Sequence, residues 1–121
     1  MNISDLIDRV KKHPEFAKAG MILCHNGVVR ETSAAGNRRV ESLVVEADYD
    51  KLAEILERHK QMPGIIEILA EIADGRKLMV GDDIMALVVA GDVRTNVIPV
   101  MASLIDAVKA TVTSKTETYK D

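Results

Sequence analysis

Arg94 has the residue type and the location expected of an anion-binding group. It follows an apolar run at residues 84–90 and precedes a helix that is expected to begin near Thr95. The turn between a strand and a helix exposes backbone N–H groups, and an adjacent arginine adds a guanidinium that can bind phosphate or carboxylate. The alternative is a solvated charge that pairs with Asp92.

A second group of arginines follows another apolar segment. Arg30 ends the sequence Gly27-Val28-Val29-Arg30, and the polar loop after it carries Arg38 and Arg39. The chain as a whole is acidic, with a net charge of −3. These cations therefore predict a local anion pocket and argue against a nucleic-acid partner. Each arginine could instead be a solvated surface charge.

The composition of the 121 residues limits the class of protein. Hydrophobic residues make up 47% of the chain and charged residues 29%, as in a folded domain with its own core. We therefore expect one domain spanning residues 1–121. Aromatic residues are only 2%, which leaves no stacking platform for single-stranded nucleic acid. The sequence shows neither a signal peptide nor an apolar run of ~18 residues, so we expect a cytoplasmic protein with no membrane partner.

The histidines and the single cysteine do not form a recognisable metal site. His13, His25 and His59 have no Cys, Asp or Glu at ligand spacing, so neither a metal site nor a cofactor is predicted. His59 lies on an apolar helical stripe and is expected to pack. Cys24 is interpreted as a small buried hydrophobic residue.

Hydrophobic spacing predicts the element order α-β-β-α-β-β-α-β. Helices are expected after Asn2 and after Asp48, and both residues are placed to act as N-caps. A third helix should be capped by Thr95 or Asn96, because Pro99 is tolerated in a first turn. Such an order predicts an α+β fold in which helices cover a mixed or antiparallel sheet. Strands are expected at residues 20–30, 39–47, 65–72, 84–90 and 111–119.

Several segments, in their order and spacing, resemble the large, catalytic subunit of molybdopterin synthase. They are residues 21–30 (MILCHNGVVR), residues 43–49 (LVVEADY) before a helix, and residues 80–83 (VGDD) before an apolar strand. Arg94 at the head of the last helix completes the pattern, which runs from about Leu6 to about Glu117. Asn26-Gly27 is by itself a hairpin signal, but the resemblance favours a bulge in one continuous strand.

The resemblance implies an α/β-hammerhead-like fold and a homodimer. It also implies a partner, a small ubiquitin-like sulfur carrier whose Gly-Gly C-terminus ends in a thiocarboxylate. The implied pterin substrate is cyclic pyranopterin monophosphate. Sulfur transfer to this substrate builds the dithiolene that later holds molybdenum in the molybdenum cofactor.

The resemblance also implies site residues. Arg30 and Arg94 match substrate- and anion-binding arginines, and Lys109 matches a lysine of the last helix that takes part in catalysis. Lys115 aligns with a second catalytic lysine of the family if the alignment contains a one-residue deletion between Lys109 and Lys115. Arginine offers a bidentate fork to phosphate or carboxylate, which suits these assignments.

The chain departs from the family pattern at several basic positions. Val93 replaces a histidine, Ala70-Glu71 replaces a His-Arg pair, and Thr113-Ser114-Lys115 lacks the aromatic residue and proline of the family. Three hypotheses therefore remain open. The protein is an active molybdopterin synthase subunit, a catalytically impaired paralogue acting as a dimeric binding or regulatory protein, or an unrelated small-ligand-binding α+β domain.

Overall fold

The computed structural model describes residues 2–121, whose helices and strands follow the predicted order except for one additional short strand, Lys77–Met79, in a segment predicted as a link. Met1, part of the predicted domain of residues 1–121, lies outside the described residues. Along the chain the elements are α1 (Ile3–Lys11), a 3₁₀ turn (Phe16–Lys18), β1 (Met21–Val28), β2 (Val40–Ala47), α2 (Tyr49–Lys60), β3 (Ile65–Ile72), β4 (Lys77–Met79), β5 (Asp83–Gly91), α3 (Arg94–Thr111) and β6 (Thr113–Tyr119).

The strands form two antiparallel sheets of three strands each. The strand order is β1-β5-β3 in the first sheet and β4-β2-β6 in the second. All pairings between these strands are antiparallel. The predicted α+β fold with antiparallel strands and covering helices is confirmed, and the sheet is divided in two.

Strand β5 lies at the centre of the first sheet and is buried on both faces. Alternate side chains of a strand point to opposite faces. Leu87 and Val89 pack into the cluster that includes α2 and α3, whereas Ala86 and Val88 pack with α1. Burial on both sides explains why this strand is a continuous apolar run.

Strand β1 is continuous, as the resemblance predicted. It pairs with β5 along its whole length, with a register shift between Gly27 and Val28. The interpretation of Asn26-Gly27 as part of a bulged strand is confirmed, and the hairpin alternative is wrong. Cys24 is exposed, contrary to the prediction, because β1 is an edge strand with a neighbour on one side only.

The start of α3 differs from the sequence-based expectation. The N-cap residue is Val93, which makes no side-chain cap hydrogen bond, and neither Thr95 nor Asn96 is the cap. Asp92 supplies the missing acceptor, since its Oδ1 accepts hydrogen bonds from Val93 N at 2.6 Å and from Asn96 Nδ2 at 2.9 Å. The helix therefore begins earlier than predicted, and Pro99 lies inside it on an exposed side.

The other two helices begin where their caps predict. Asn2 Oδ1 accepts hydrogen bonds at the start of α1, and Asp48 Oδ1 accepts one from Lys51 N at 3.0 Å at the start of α2. His59 is packed as predicted: it is buried, and Nε2 lies 3.0 Å from Ser103 Oγ of α3. Within residues 2–121, no helix is both long enough and apolar enough to cross a bilayer.

Candidate functional site

A pocket of about 540 Å³ lies between the two sheets, where the end of β1, the last turn of α3 and β6 come together. This volume is in the range of small-molecule sites, about 300–1,000 Å³. Three cationic side chains that the sequence singled out line the pocket together: Arg30, Lys109 and Lys115.

The chain topology explains why these residues meet. β1 and α3 both run antiparallel to β5, so the last turn of α3 reaches the end of β1, which Arg30 follows. Lys109 lies in that last turn. Val112 then turns the chain into β6, which carries Lys115 back along β2. Residues far apart in the sequence are thereby positioned by regular elements, except for Arg30, which lies in a loop.

The floor of the pocket is apolar and part of its rim is charged. Leu43 and Val45 of β2 are buried and line the pocket. Their cross-strand partners on β6 are Glu117 and Lys115, respectively. Directly opposite residues of an antiparallel pair share one face, so aliphatic side chains lie beside charged ones. This arrangement suits a guest with an apolar part and an anionic group.

The pocket carries excess positive charge. Among residues 2–121, the only ion pairs between side chains are Lys18–Glu15, Lys51–Glu54 and Lys60–Glu67, none of which involves a pocket cation. Glu117 is the one carboxylate in the pocket lining, and it accepts a hydrogen bond from the Tyr119 hydroxyl at 3.1 Å. Three cations thus face one acid in a partly enclosed site.

Arg30 uses only some of its hydrogen-bond donors within the described residues. Its Nη2 donates a hydrogen bond to Ser33 O at 2.8 Å, and its Nε donates one to Thr32 O at 3.2 Å. These bonds order the loop between β1 and β2. Since a guanidinium has five N–H donors in a planar fork, Nη1 and one hydrogen of Nη2 remain for an anion.

His25 is a pocket residue that the sequence analysis did not assign to the site. Its Nε2 is buried and has no hydrogen-bond partner within the described residues. That atom lies over Gly27, 3.6 Å from the position a Cβ would occupy there. Burial, and secondarily the nearby ammonium of Lys109, lowers the pKa of His25 below 6.5. The period-two pattern of β1 could have found it, because Met21 and Leu23 on the same face pack towards the α2 and α3 cluster.

The remaining candidate arginines lie outside the pocket lining. The Arg38 guanidinium carbon is 3.8 Å from the centroid of the Tyr119 ring, a cation–π contact. Arg39 is exposed and pairs through its backbone, its carbonyl accepting a hydrogen bond from Lys120 N at 2.9 Å. Their roles in anion binding stay predictions.

Arg94 is at the opposite end of α3 from the pocket. It is the first residue of the helix, whereas Lys109 is in the last turn. At a rise of ~1.5 Å per residue the two are about 22 Å apart along the helix axis. Arg94 is exposed, and it does not pair with Asp92, whose carboxylate bonds to the helix start. Its role as an anion-binding residue stays a prediction.

The fold and the pocket define an α+β protein with a cationic pocket between its two sheets. The sequence matches the family model of the MoaE protein over residues 1–111, and the chain therefore belongs to the MoaE family. Among proteins of curated function, a sequence search finds no match.

Solved structures agree with the family assignment. The chain is similar to molybdopterin synthase from Staphylococcus aureus, with 25% identity, a TM-score of 0.73 and an alignment that covers 88% of this chain and 78% of that one. It shares its fold with molybdopterin cofactor biosynthesis protein E from Burkholderia multivorans ATCC 17616, at 20% identity, a TM-score of 0.78 and coverage of 99% and 82%. The same fold occurs in a complex of subunits 1 and 2 of molybdopterin-converting factor from Helicobacter pylori 26695, at 14% identity, a TM-score of 0.74 and coverage of 98% and 80%.

These matches confirm the resemblance to the large subunit of molybdopterin synthase and a role in molybdenum cofactor biosynthesis. The hypothesis of an unrelated small-ligand-binding domain is wrong, because the family match covers most of the chain.

Proposed function

We propose that this large subunit is catalytically active and transfers sulfur from a thiocarboxylated ubiquitin-like carrier to cyclic pyranopterin monophosphate. The observation that carries the proposal is the meeting of Arg30, Lys109 and Lys115 in one pocket, where none of them forms an ion pair with a carboxylate among residues 2–121. A phosphate-bearing pterin and a carrier tail are both anionic, so both complement this charge.

The three cations have different roles in the proposed reaction. The free guanidinium donors of Arg30 bind the phosphate of the pterin or the carboxyl group of the carrier tail in a bidentate manner. Lys109 and Lys115 act on the thiocarboxylate. Its sulfur forms a bond to a carbon of the pterin, water then attacks the carbonyl carbon of the resulting thioester, and the ammonium groups stabilise the negative charge that develops as the acyl carbon–sulfur bond breaks and the carrier leaves as a carboxylate. Removing one such charge-stabilising donor typically lowers the rate by ~10²–10³.

A small carrier subunit is the proposed protein partner. The related Helicobacter pylori assembly contains subunits 1 and 2 of molybdopterin-converting factor, which supports a two-subunit enzyme here as well. The mixed pocket lining, with an aliphatic floor and a cationic rim, suits an extended Gly-Gly tail that has little side-chain bulk and one terminal anion.

We further propose that the large subunit is a homodimer. Strands β1 and β3 are the edges of the first sheet as described for residues 2–121, and each leaves one side of its backbone without a strand partner. Unpaired edges favour association. Val93 and Ile98, at the start of α3, are each about half exposed and add apolar surface. Light scattering on a size-exclusion column measures the mass directly, and a monomeric mass would contradict the proposal.

A reconstituted reaction tests the activity. The protein is mixed with thiocarboxylated carrier and cyclic pyranopterin monophosphate, and the dithiolene-containing pterin is quantified. The single substitutions Arg30→Ala, Lys109→Ala and Lys115→Ala should each lower the rate by ~10²–10³. Arg9→Ala is the control for Arg30, because Arg9 is an exposed arginine of α1 that lies outside the pocket lining. Equal rates in pocket and control variants, or no product from the native protein, would contradict the proposal.

The second candidate function is a catalytically impaired, dimeric binding or regulatory paralogue. Glu117 in the pocket lining favours it, since an acid there opposes an anionic guest. So does the exposed Glu71, where the resemblance expects a cation. Binding of the thiocarboxylated carrier without product formation would select this function.

The single domain of residues 1–121, the cytoplasmic location and the expectation of no cofactor, nucleic-acid or membrane partner stay predictions. The shared use of β5 by both hydrophobic clusters supports one domain.

A further inference from the structure

His25 has an unused hydrogen-bonding group in a pocket that is otherwise built from cations and aliphatic side chains. Its Nε2 is buried and unpartnered among residues 2–121, and the residue lines the same pocket as Arg30, Lys109 and Lys115. A buried polar group without a partner costs about 1–3 kcal/mol, and such groups in native structures call for an explanation. A ligand that supplies the missing partner provides one.

We propose that His25 contacts the guest of this pocket, with Nε2 donating a hydrogen bond to an oxyanion that Arg30, Lys109 and Lys115 hold. The proposal rests on the proposed function, because the oxyanion is then the phosphate of the pterin or the carboxyl end of the carrier tail. His25 is in the second half of β1 and Lys109 is in the last turn of α3, and both line the pocket. An oxyanion between them can accept from both.

The side chains around His25 determine how it responds to an anion. The charged residues that line the pocket with His25 are Lys109 of α3, Arg30 of the loop after β1, and Lys115 and Glu117 of β6, while β5 contributes the uncharged Ile84 and Met85. In the free protein, burial and then Lys109 lower the pKa of the imidazole. A bound anion offsets the local positive charge and favours the imidazolium. Binding should therefore take up a proton, and affinity should rise as the pH falls.

Proton NMR of the native protein tests this contact directly, with sulfate as the probe. The sequence contains three histidines, so three imidazole Cε1–H signals can be followed. Sulfate should shift the His25 signal in a saturable manner and move its titration midpoint to higher pH. His13, whose Nδ1 accepts a hydrogen bond from Glu15 N, and the fully bonded His59 should respond little. An unchanged His25 signal at saturating sulfate overturns the proposal.

Two variants separate the hydrogen bond from the bulk of the ring. His25→Phe keeps a ring but removes the donor, and it should weaken sulfate binding about tenfold, the usual effect of losing a hydrogen bond to a charged group. His25→Gln restores a donor at similar reach and should recover most of that loss. Neither Phe nor Gln takes up a proton in this pH range, so both variants should lose the rise in affinity that proton uptake by His25 gives the native protein as the pH falls. Native-like affinity and pH dependence in His25→Phe overturn the proposal.

Two further probes distinguish the source of the oxyanion. Inorganic phosphate represents the pterin, and a short peptide ending in Gly-Gly with a free carboxylate represents the carrier tail. The same peptide with an amidated end is its control. A shift of the His25 signal with phosphate alone assigns the contact to the pterin, whereas a shift with the free peptide alone assigns it to the tail. If neither probe moves the signal, the contact is refuted for both sources.

These outcomes are independent of turnover. If the native protein forms product but no probe shifts its His25 signal, the proposed function stands and the His25 contact is refuted. If a probe shifts the His25 signal but the native protein forms no product, the His25 contact stands and the proposed activity is refuted.

Discussion

Replacement of Gly91 by alanine should destabilise the protein, because the added methyl group would disturb the packing of α3 against the end of β5. Gly91 is the last residue of β5, and it packs directly against both the Gly64 turn and α3. A Cβ at this position would lie 2.5 Å from Val97 Cγ2 and 2.8 Å from Gly64 O, well inside normal contact distances. Hydrogen is the only substituent that fits.

Neither neighbour can move away easily. Val97 is fully buried in the first turns of α3, and a β-branched side chain in a helix has one strongly preferred rotamer. Gly64 O accepts the hydrogen bond of Asp92 N at 2.9 Å. The added methyl group must therefore shift backbone as well as side chain. Overpacking of this kind costs about 2–3 kcal/mol.

The expected change in melting temperature follows from chain length. For 121 residues the entropy of unfolding is about 0.25 kcal/mol/K, so Gly91→Ala should lower Tm by about 8–12 °C. Differential scanning calorimetry or circular dichroism measures this shift.

Gly27→Ala is the matched control, since Gly27 is also in a strand, and a Cβ there meets its nearest atoms at 3.6 Å and 3.9 Å. These are ordinary contact distances, so the free energy of unfolding of the Gly27→Ala variant should stay within about 0.5 kcal/mol of that of the native protein or increase slightly. Equal Tm shifts for the two variants, or a Gly91→Ala shift of less than about 2 °C, would refute the steric argument.

Two other predictions concern charged groups. Hydrogen bonds from the Asn96 side chain and from Val93 N lower the pKa of Asp92. The ionised carboxylate therefore stabilises the folded protein above the pKa of an unfolded Asp, about 3.9, and this stabilisation is lost as the pH falls through the folded-state pKa. Asp92→Ala should thus lower Tm at neutral pH, and the difference from the native protein should shrink below about pH 3.9; a constant difference at all pH values would show that the carboxylate charge is not responsible. Lys109→Met should raise the pKa of His25 towards its ordinary value by removing a neighbouring cation, and NMR titration of the imidazole measures it. Lys120→Met, which removes an exposed cation outside the pocket lining, should leave that pKa unchanged, and equal effects of the two changes would contradict the assignment.

Sequence patterns predicted those features of the fold that depend on neighbouring residues. Asn2 and Asp48 cap the helices that directly follow them, and such contacts are encoded within three residues. The start of α3 was not predictable in the same way. There the acceptor is Asp92, one residue before an apolar N-cap, and its bond to Asn96 depends on the turn geometry.

The candidate site was predicted in part. The resemblance pointed to Arg30, Lys109 and Lys115, which the structure brings to one pocket. It also pointed to Arg94, which lies at the far end of α3 because a straight helix keeps its first and last turns apart. Metal-ligand spacing could not predict the place of His25, because its position in the pocket depends on which face of β1 it occupies.

The short junction between α3 and β6 has a consequence for what the pocket can accept. Only Val112 separates the helix from the strand, and it is buried, with its carbonyl accepting a hydrogen bond from Asp48 N at 2.9 Å. The wall formed by Lys109 and Lys115 therefore has no flexible linker with which to widen. We therefore expect guests of different size to be accommodated by movement of the loop between β1 and β2, which carries Arg30.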